Sequence, residues 1–229
     1  MLKLEHMTAG YGKTRIVDDV DLEIPAGEVV ALLGRNGMGK TTLLRSMFGL
    51  CDVFSGRLTM DTTHLPLERP ERLAQHGLSF MPDHRGVFPS LSVEENLRLA
   101  RRRTYTPPVD VFELFPLLRD RARQLAGVLS GGQKQQLGLA RAMLGGERLI
   151  VVDEFSQGLQ PSIAKAALEA LRTIADTGVS VLLVEQGPQL PLAYADRIIG
   201  MVKGRIVFDE QVPGLRANPE PLTNLLVVG

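Results

Sequence analysis

The chain has 229 residues, 44% of them hydrophobic, which is enough for one substantial domain with a buried core. Its 26 basic and 26 acidic side chains cancel, which argues against non-specific nucleic-acid binding, and no nucleic-acid partner is expected. The single cysteine, Cys51, excludes an internal disulfide and a cysteine zinc site and is in keeping with a reducing compartment.

In chain order, Leu2 and Leu4 alternate with Lys3 and Glu5, and Val20, Leu22 and Ile24 with Asp21 and Glu23. This period of two predicts antiparallel strands with one wet face. Residues 29–33 (VVALL) read as a strand buried on both faces, and residues 41–48 as a helix whose stripe is Leu43, Leu44, Met47 and Phe48. Residues 87–128 hold no strong strand run. They carry Pro107-Pro108, Pro116 and many arginines, and are predicted to be a mostly helical insertion whose arginines form a solvated face. Residues 149–152 (LIVV) and 179–184 are two more buried-strand runs. Between them a helix starts at Pro161, buries Ile163, Ala166, Ala167, Ala170, Leu171 and Ile174, and stops at Gly178. A hairpin turning at Lys203-Gly204 is expected over 197–209. Apolar runs alternating with helices predict an α/β fold with a mostly parallel sheet. No 18-residue apolar run and no signal-peptide pattern is present, so the protein is expected to remain in the cytosol.

Gly34-Arg35-Asn36-Gly37-Met38-Gly39-Lys40-Thr41 fits G-x-x-x-x-G-K-[ST], with a strand before it and a helix after. Glycines let consecutive N–H groups curl around a phosphate, and the helix adds the positive end of its dipole. Lys40 supplies charge to the β- and γ-phosphates, and the Thr41 hydroxyl is a ligand for Mg²⁺. At the end of the 149–152 strand, Asp153 suits Mg²⁺ through water and Glu154 suits polarising an attacking water. Ser130, Gly131, Gly132 and Gln133 begin another predicted helix and form a second anion-binding terminus. If the two termini lie on opposite sides of a subunit, the economical arrangement is a head-to-tail pair.

With LSGGQ at 129–133 the chain resembles, over essentially its whole length, the nucleotide-binding subunits of ATP-binding-cassette (ABC) transporters. The resemblance implies a P-loop ATPase core formed by 1–86 and 129–229, including an N-terminal antiparallel β subdomain, with a helical subdomain inserted at 87–128 and the whole chain forming one domain, 1–229. It implies ATP and Mg²⁺ as ligands. Tyr11 would stack on adenine, residues 34–42 including Thr42 would hold the phosphates, and Ser130 to Gln133 would complete the nucleotide site of the opposing subunit. Ser156-Gln157-Gly158-Leu159 matches the loop that lies at the dimer interface. Residues 34–40, 87–97, 158–163 and 184–186 are similar to the cassettes of branched-chain amino-acid, amide and urea importers.

Three positions depart from the general family pattern. Asp83 stands where most members have a glutamine touching Mg²⁺ and the attacking water, which makes Asp83 a metal and catalytic candidate beside Thr41, Asp153 and Glu154. Gln186 replaces a histidine that holds the γ-phosphate, and Phe155 replaces a proline. The implied partners are a second cassette, identical or paralogous, transmembrane permeases gripped by the helical insertion and, indirectly, a solute-binding protein. The implied location is peripheral, on the cytoplasmic face of the membrane. A soluble single-cassette ATPase of cluster biogenesis is the alternative.

Overall fold

The computed structural model describes residues 1–227; residues 228 and 229 of the expected domain lie outside the described residues. The chain opens with an antiparallel hairpin, β1 (Leu2–Tyr11) and β2 (Thr14–Ile24). Along β2, Val20, Leu22 and Ile24 are buried while Asp21 and Glu23 are exposed, as the alternation requires. After β3 (Val29–Leu33) and α1 (Lys40–Met47), the chain returns to the hairpin with β4 (Asp52–Met60) and β5 (Thr63–His64). The first sheet therefore has the order β2-β1-β4-β5.

Next come α2 (Pro70–Gln75) and β6 (Leu78–Met81), then three short helices, α3 (Val93–Ala100), α4 (Val111–Leu114) and α5 (Pro116–Asp120). The remainder is α6 (Gly131–Gly145), β7 (Leu149–Val152), α7 (Pro161–Ala175), β8 (Ser180–Glu185), α8 (Gln189–Tyr194), β9 (Arg197–Val202), β10 (Arg205–Gln211), α9 (Val212–Ala217) and α10 (Glu220–Val227). The second sheet has the order β10-β9-β3-β8-β7-β6, parallel throughout except at β10.

The all-apolar strands are apolar because both faces are covered. In β8, Val181 and Leu183 pack towards α6 and α7, while Leu182 and Val184 pack towards α1 and the first sheet. Each such side chain contributes about 1.5–3 kcal/mol on burial. The unit β7–α7–β8 is the expected parallel crossover. On α7 the buried stripe keeps Ala167, Ala170, Leu171 and Ile174 of the sequence reading and adds Ala164, Leu168 and Ala175, whereas Ile163 and Ala166 are only half-buried.

The expectation for 87–128 is corrected in one respect. Its helices are short, and residues 101–110 carry none. Pro107-Pro108 lack the N–H groups a helix there would need. The arginines are mostly wet, as expected: Arg98, Arg101, Arg103, Arg119 and Arg123 are exposed, while Arg102 is half-buried and donates to Glu147 Oε2 (2.9 Å) and Gln75 O (2.9 Å).

Candidate functional site

Leu33 ends β3 and Lys40 begins α1, so residues 34–39 must reverse direction in one tight loop. Gly39 does this at φ 98°, a backbone setting that side chains rarely adopt, and it offers no side-chain cap to the helix. The first-turn N–H groups of α1 therefore remain donors for an anion, aligned with the helix dipole. The hairpin between β9 and β10 braces the loop, with Gly204 N donating to Met38 O at 2.9 Å. Arg35, Asn36 and Gly37 are exposed, and Thr42 is buried behind them. Lys40 is buried, and its Nζ donates to Gly34 O (2.5 Å) and Arg35 O (2.9 Å). Burial lowers its pKa, opposed by the charges of Asp153, Glu154 and Glu185.

β7 delivers the acids to the same end of the sheet. Asp153 is 1% exposed, its N donates to Met81 O (2.9 Å), and its Oδ2 accepts from Thr41 Oγ1 (2.8 Å). Its other oxygen, Oδ1, is buried with no hydrogen-bond partner among the described residues. Burial pushes the Asp153 carboxyl above its usual range, against the Thr41 hydrogen bond. A hydroxyl and a carboxylate with a spare buried oxygen are the hard donors that Mg²⁺ takes, so these residues fit that ion.

Glu154 sits at φ 50°, and its Oε1 accepts from Gln186 Nε2 at 3.3 Å. Lys40, Glu154, Ser156, Gln157, Glu185 and Gln186 line one cavity of about 310 Å³. Glu185 accepts from Ser156 N (2.8 Å), and burial raises its pKa. Phe155 is fully buried in the core beside α6 and α7.

Tyr11 ends β1 with 40% of its surface exposed, and its hydroxyl accepts from Arg45 Nη1 (3.1 Å). The same guanidinium lies 3.8 Å from Asp83 Oδ1. Asp83 Oδ1 also accepts from His84 N (2.9 Å), so the carboxylate both caps its turn and faces α1.

Ser130 caps α6. It accepts from Gln133 N (3.4 Å), and its own N donates to Gln133 Oε1 (2.9 Å). Gly132 approaches the turn after Glu154 so closely that a Cβ would stand 2.5 Å from Gly158 O. None of Ser130, Gly131, Gly132 and Gln133 lines the cavity that holds Lys40 and Glu154.

Three residues at the site escaped the sequence reading: Arg45, Gln135 and Glu185. Gln135 left a trace, a polar side chain four residues before Leu139 on what proves to be a buried helix.

The family model described as ABC transporter matches residues 17–157. The chain is 36% identical over 225 residues to the high-affinity branched-chain amino acid transport ATP-binding protein BraG of Pseudomonas aeruginosa, covering 96% of this chain and 97% of that protein. It is 33% identical to a probable branched-chain amino acid transport ATP-binding protein, LivF, of Archaeoglobus fulgidus, over 91% of each. Relatives named for phosphonate, ribose and methionine import match at 30–33% identity over 47–84% of their own lengths. Among solved structures, one of an ATP-binding subunit of an ABC transporter superposes with TM-score 0.82 at 25% identity, over 99% of this chain and 98% of that one.

Proposed function

Since the chain belongs to the ABC transporter family, as an ATPase subunit of an importer, we propose that the solute it helps take up is a branched-chain amino acid or a related amide or urea. The coverage of the two branched-chain relatives, nearly complete on both sides, supports this class over the others. The carrying observation for hydrolysis is the 2.8 Å bond from Thr41 to Asp153, which ties the phosphate loop to the acidic strand end across 112 residues of sequence.

In this reading Lys40 leaves the carbonyls of Gly34 and Arg35 for the β- and γ-phosphates of ATP, and Tyr11 stacks on adenine. Glu154 orients the attacking water and accepts its proton. Gln186 donates either to Glu154 or to the γ-phosphate. Mg²⁺ held by Thr41 and Asp153, with Asp83 alongside, would neutralise phosphate charge when bound. Phosphoryl transfer to water needs little beyond this positioning and charge stabilisation.

That Ser130–Gln133 do not line the Lys40 cavity supports a head-to-tail dimer, identical or paralogous, in which each signature helix completes the other subunit's site. No described helix is long and apolar enough to cross a membrane. The importer relatives support partner permease subunits that do. The segment 87–128 would meet them on the cytoplasmic face, with a solute-binding protein delivering from the other side.

The test is uptake by proteoliposomes holding the chain with its copurified permeases. ATP-dependent accumulation of labelled leucine, an amide or urea supports the reading. Accumulation of ribose or a phosphonate alone overturns the solute class, and the absence of any copurifying permease overturns the transport role.

A further inference from the structure

Gln135 lies on the second turn of α6, outside the lining of the cavity that holds Lys40 and Glu154, and only 1% of it is exposed. A buried amide needs partners for both of its ends. Its Nε2 donates to two consecutive backbone carbonyls, Glu154 O (3.1 Å) and Phe155 O (2.9 Å). Its Oε1 accepts from Arg85 Nε (3.2 Å).

The two carbonyls belong to the turn in which Glu154 takes φ 50°, a left-handed setting that a glutamate holds only when its surroundings impose it. Among the described residues the carboxylate itself has a single hydrogen bond, at 3.3 Å from the exposed Gln186. Its direction is therefore set by the backbone turn. That turn is held by the buried Phe155 ring, by Glu185 on Ser156 N, and by Gln135 on the carbonyls.

We propose that Gln135 is a positioning residue for the Glu154 carboxylate, and that Arg85 fixes the Gln135 amide in the orientation that grips the turn. Arg85 is half-buried and sits in a left-handed turn of its own, φ 73°. The loop that carries it is pressed on α6 so closely that a Cβ on Gly138 would stand 2.8 Å from Arg85 O. Loss of the Arg85 donor leaves Gln135 Oε1 unpaired; the amide can then rotate, and its grip on the Glu154 and Phe155 carbonyls loosens.

The proposal rests on the reading of Glu154 as the group that orients water, and the test separates the two. Steady-state ATP hydrolysis and equilibrium ATP binding are measured for the chain in its permease complex. Gln135→Met keeps the length and removes both donors. It is expected to lower kcat by tenfold or more while ATP affinity changes by less than twofold. Arg85→Met is expected to lower kcat about fivefold, and Arg85→Lys to recover part of it by restoring a donor. Leu144→Ala loosens the far end of the same helix and should leave kcat within twofold. In a Glu154→Gln background, Gln135→Met should cause no further loss, because it acts through the carboxylate. If Glu154→Gln itself keeps normal turnover, the reading of Glu154 fails. If Glu154→Gln stops turnover but Gln135→Met and Arg85→Met behave as wild type, or if their losses persist undiminished in the Glu154→Gln background, this proposal is overturned alone.

Discussion

Thr41 Oγ1 donates to Asp153 Oδ2 at 2.8 Å, and this one bond joins the start of α1 to the end of β7. In the parallel sheet β8 separates β3 from β7, so both strands present their C-terminal ends, and the loops that follow, on the same edge. The bond satisfies one carboxylate oxygen and leaves the other buried and, among the described residues, unpartnered. Desolvation there outweighs the attraction of the nearby Lys40 charge, so the ionised carboxylate is disfavoured without a further cation.

That cost yields the first prediction. Burial holds the Asp153 carboxyl above its usual range, so the folded chain keeps this proton to higher pH than the unfolded chain does. Stability contributed here falls as pH rises through the interval above the ordinary carboxylate pKa. Asp153→Asn stays neutral and still accepts from Thr41. Without nucleotide it should melt higher than wild type at pH 8, with the gap closing toward pH 4. A gain of about 1 kcal/mol would read as roughly 2–4 °C in a chain of this size. The same variant should lose the Mg²⁺ enhancement of ATP binding. A lower Tm at pH 8 would mean that the carboxylate is stabilising and the cation argument fails.

Lys40 gives the second. Its ammonium is already bonded to Gly34 O and Arg35 O, so the loop is pre-shaped around a positive charge. Charge-assisted hydrogen bonds contribute about 1.5–3 kcal/mol each, which corresponds to roughly 10- to 150-fold in affinity. Lys40→Ala should weaken ATP binding by at least that range, measured by titration with a fluorescent ATP analogue. Affinity unchanged within threefold would remove Lys40 from the phosphate site.

Legibility in the sequence followed how local each constraint is. β3, β7 and β8 could be read because burial on both faces makes every residue apolar. β4 could not: most of its residues are exposed, and Gly56 at φ 103° interrupts its pattern. β6 is four residues at the edge of the sheet, and Ser79 breaks its apolar run. Residues 34–41 are contiguous, so their place between a buried strand and a helix could be read directly. Arg45, Gln135 and Glu185 act through partners 19 to 50 residues distant, which no local pattern encodes. Asp83 was legible as a departure from a pattern, but its pairing with Arg45 was not.

Gln186 supplies a pH prediction. Its amide lies 3.3 Å from Glu154 Oε1 and does not titrate, so wild-type turnover should show no acid limb near neutrality from this position. In Gln186→His the imidazole would face a carboxylate, which raises a histidine pKa above its usual value near 6.5. Once protonated it would pair with Glu154 and occupy the group that orients water. The rate of Gln186→His should therefore fall as pH drops below about 7, while wild type stays level. Superimposable pH–rate profiles for the two proteins would detach Gln186 from Glu154 during turnover.

The pairing of Asp83 with Arg45 sets the last prediction. A carboxylate near both a dication and the γ-phosphate attracts one and repels the other, so removing Mg²⁺ should leave repulsion alone. Arg45 Nη2 stands 3.8 Å from Asp83 Oδ1, with the two side chains 33% and 42% exposed. At that exposure the pair contributes about 0–1 kcal/mol, far below the unscreened Coulomb figure. It still offsets part of the repulsion between Asp83 and phosphate. Arg45→Met should uncover it, lowering ATP affinity in EDTA by up to about fivefold, with less loss in Mg²⁺. The difference should grow at low ionic strength, since the charges are exposed. Arg45 also donates to the Tyr11 hydroxyl, so a separate effect on adenine binding must be removed. Tyr11→Phe deletes that bond alone and should leave the ratio of affinities with and without Mg²⁺ unchanged. Asp83→Gln in the Arg45→Met background should restore binding in EDTA, because it deletes the repelling charge. The same ratio in wild type, Arg45→Met and the double variant would mean that Asp83 faces solvent throughout and serves only to cap its turn through His84 N.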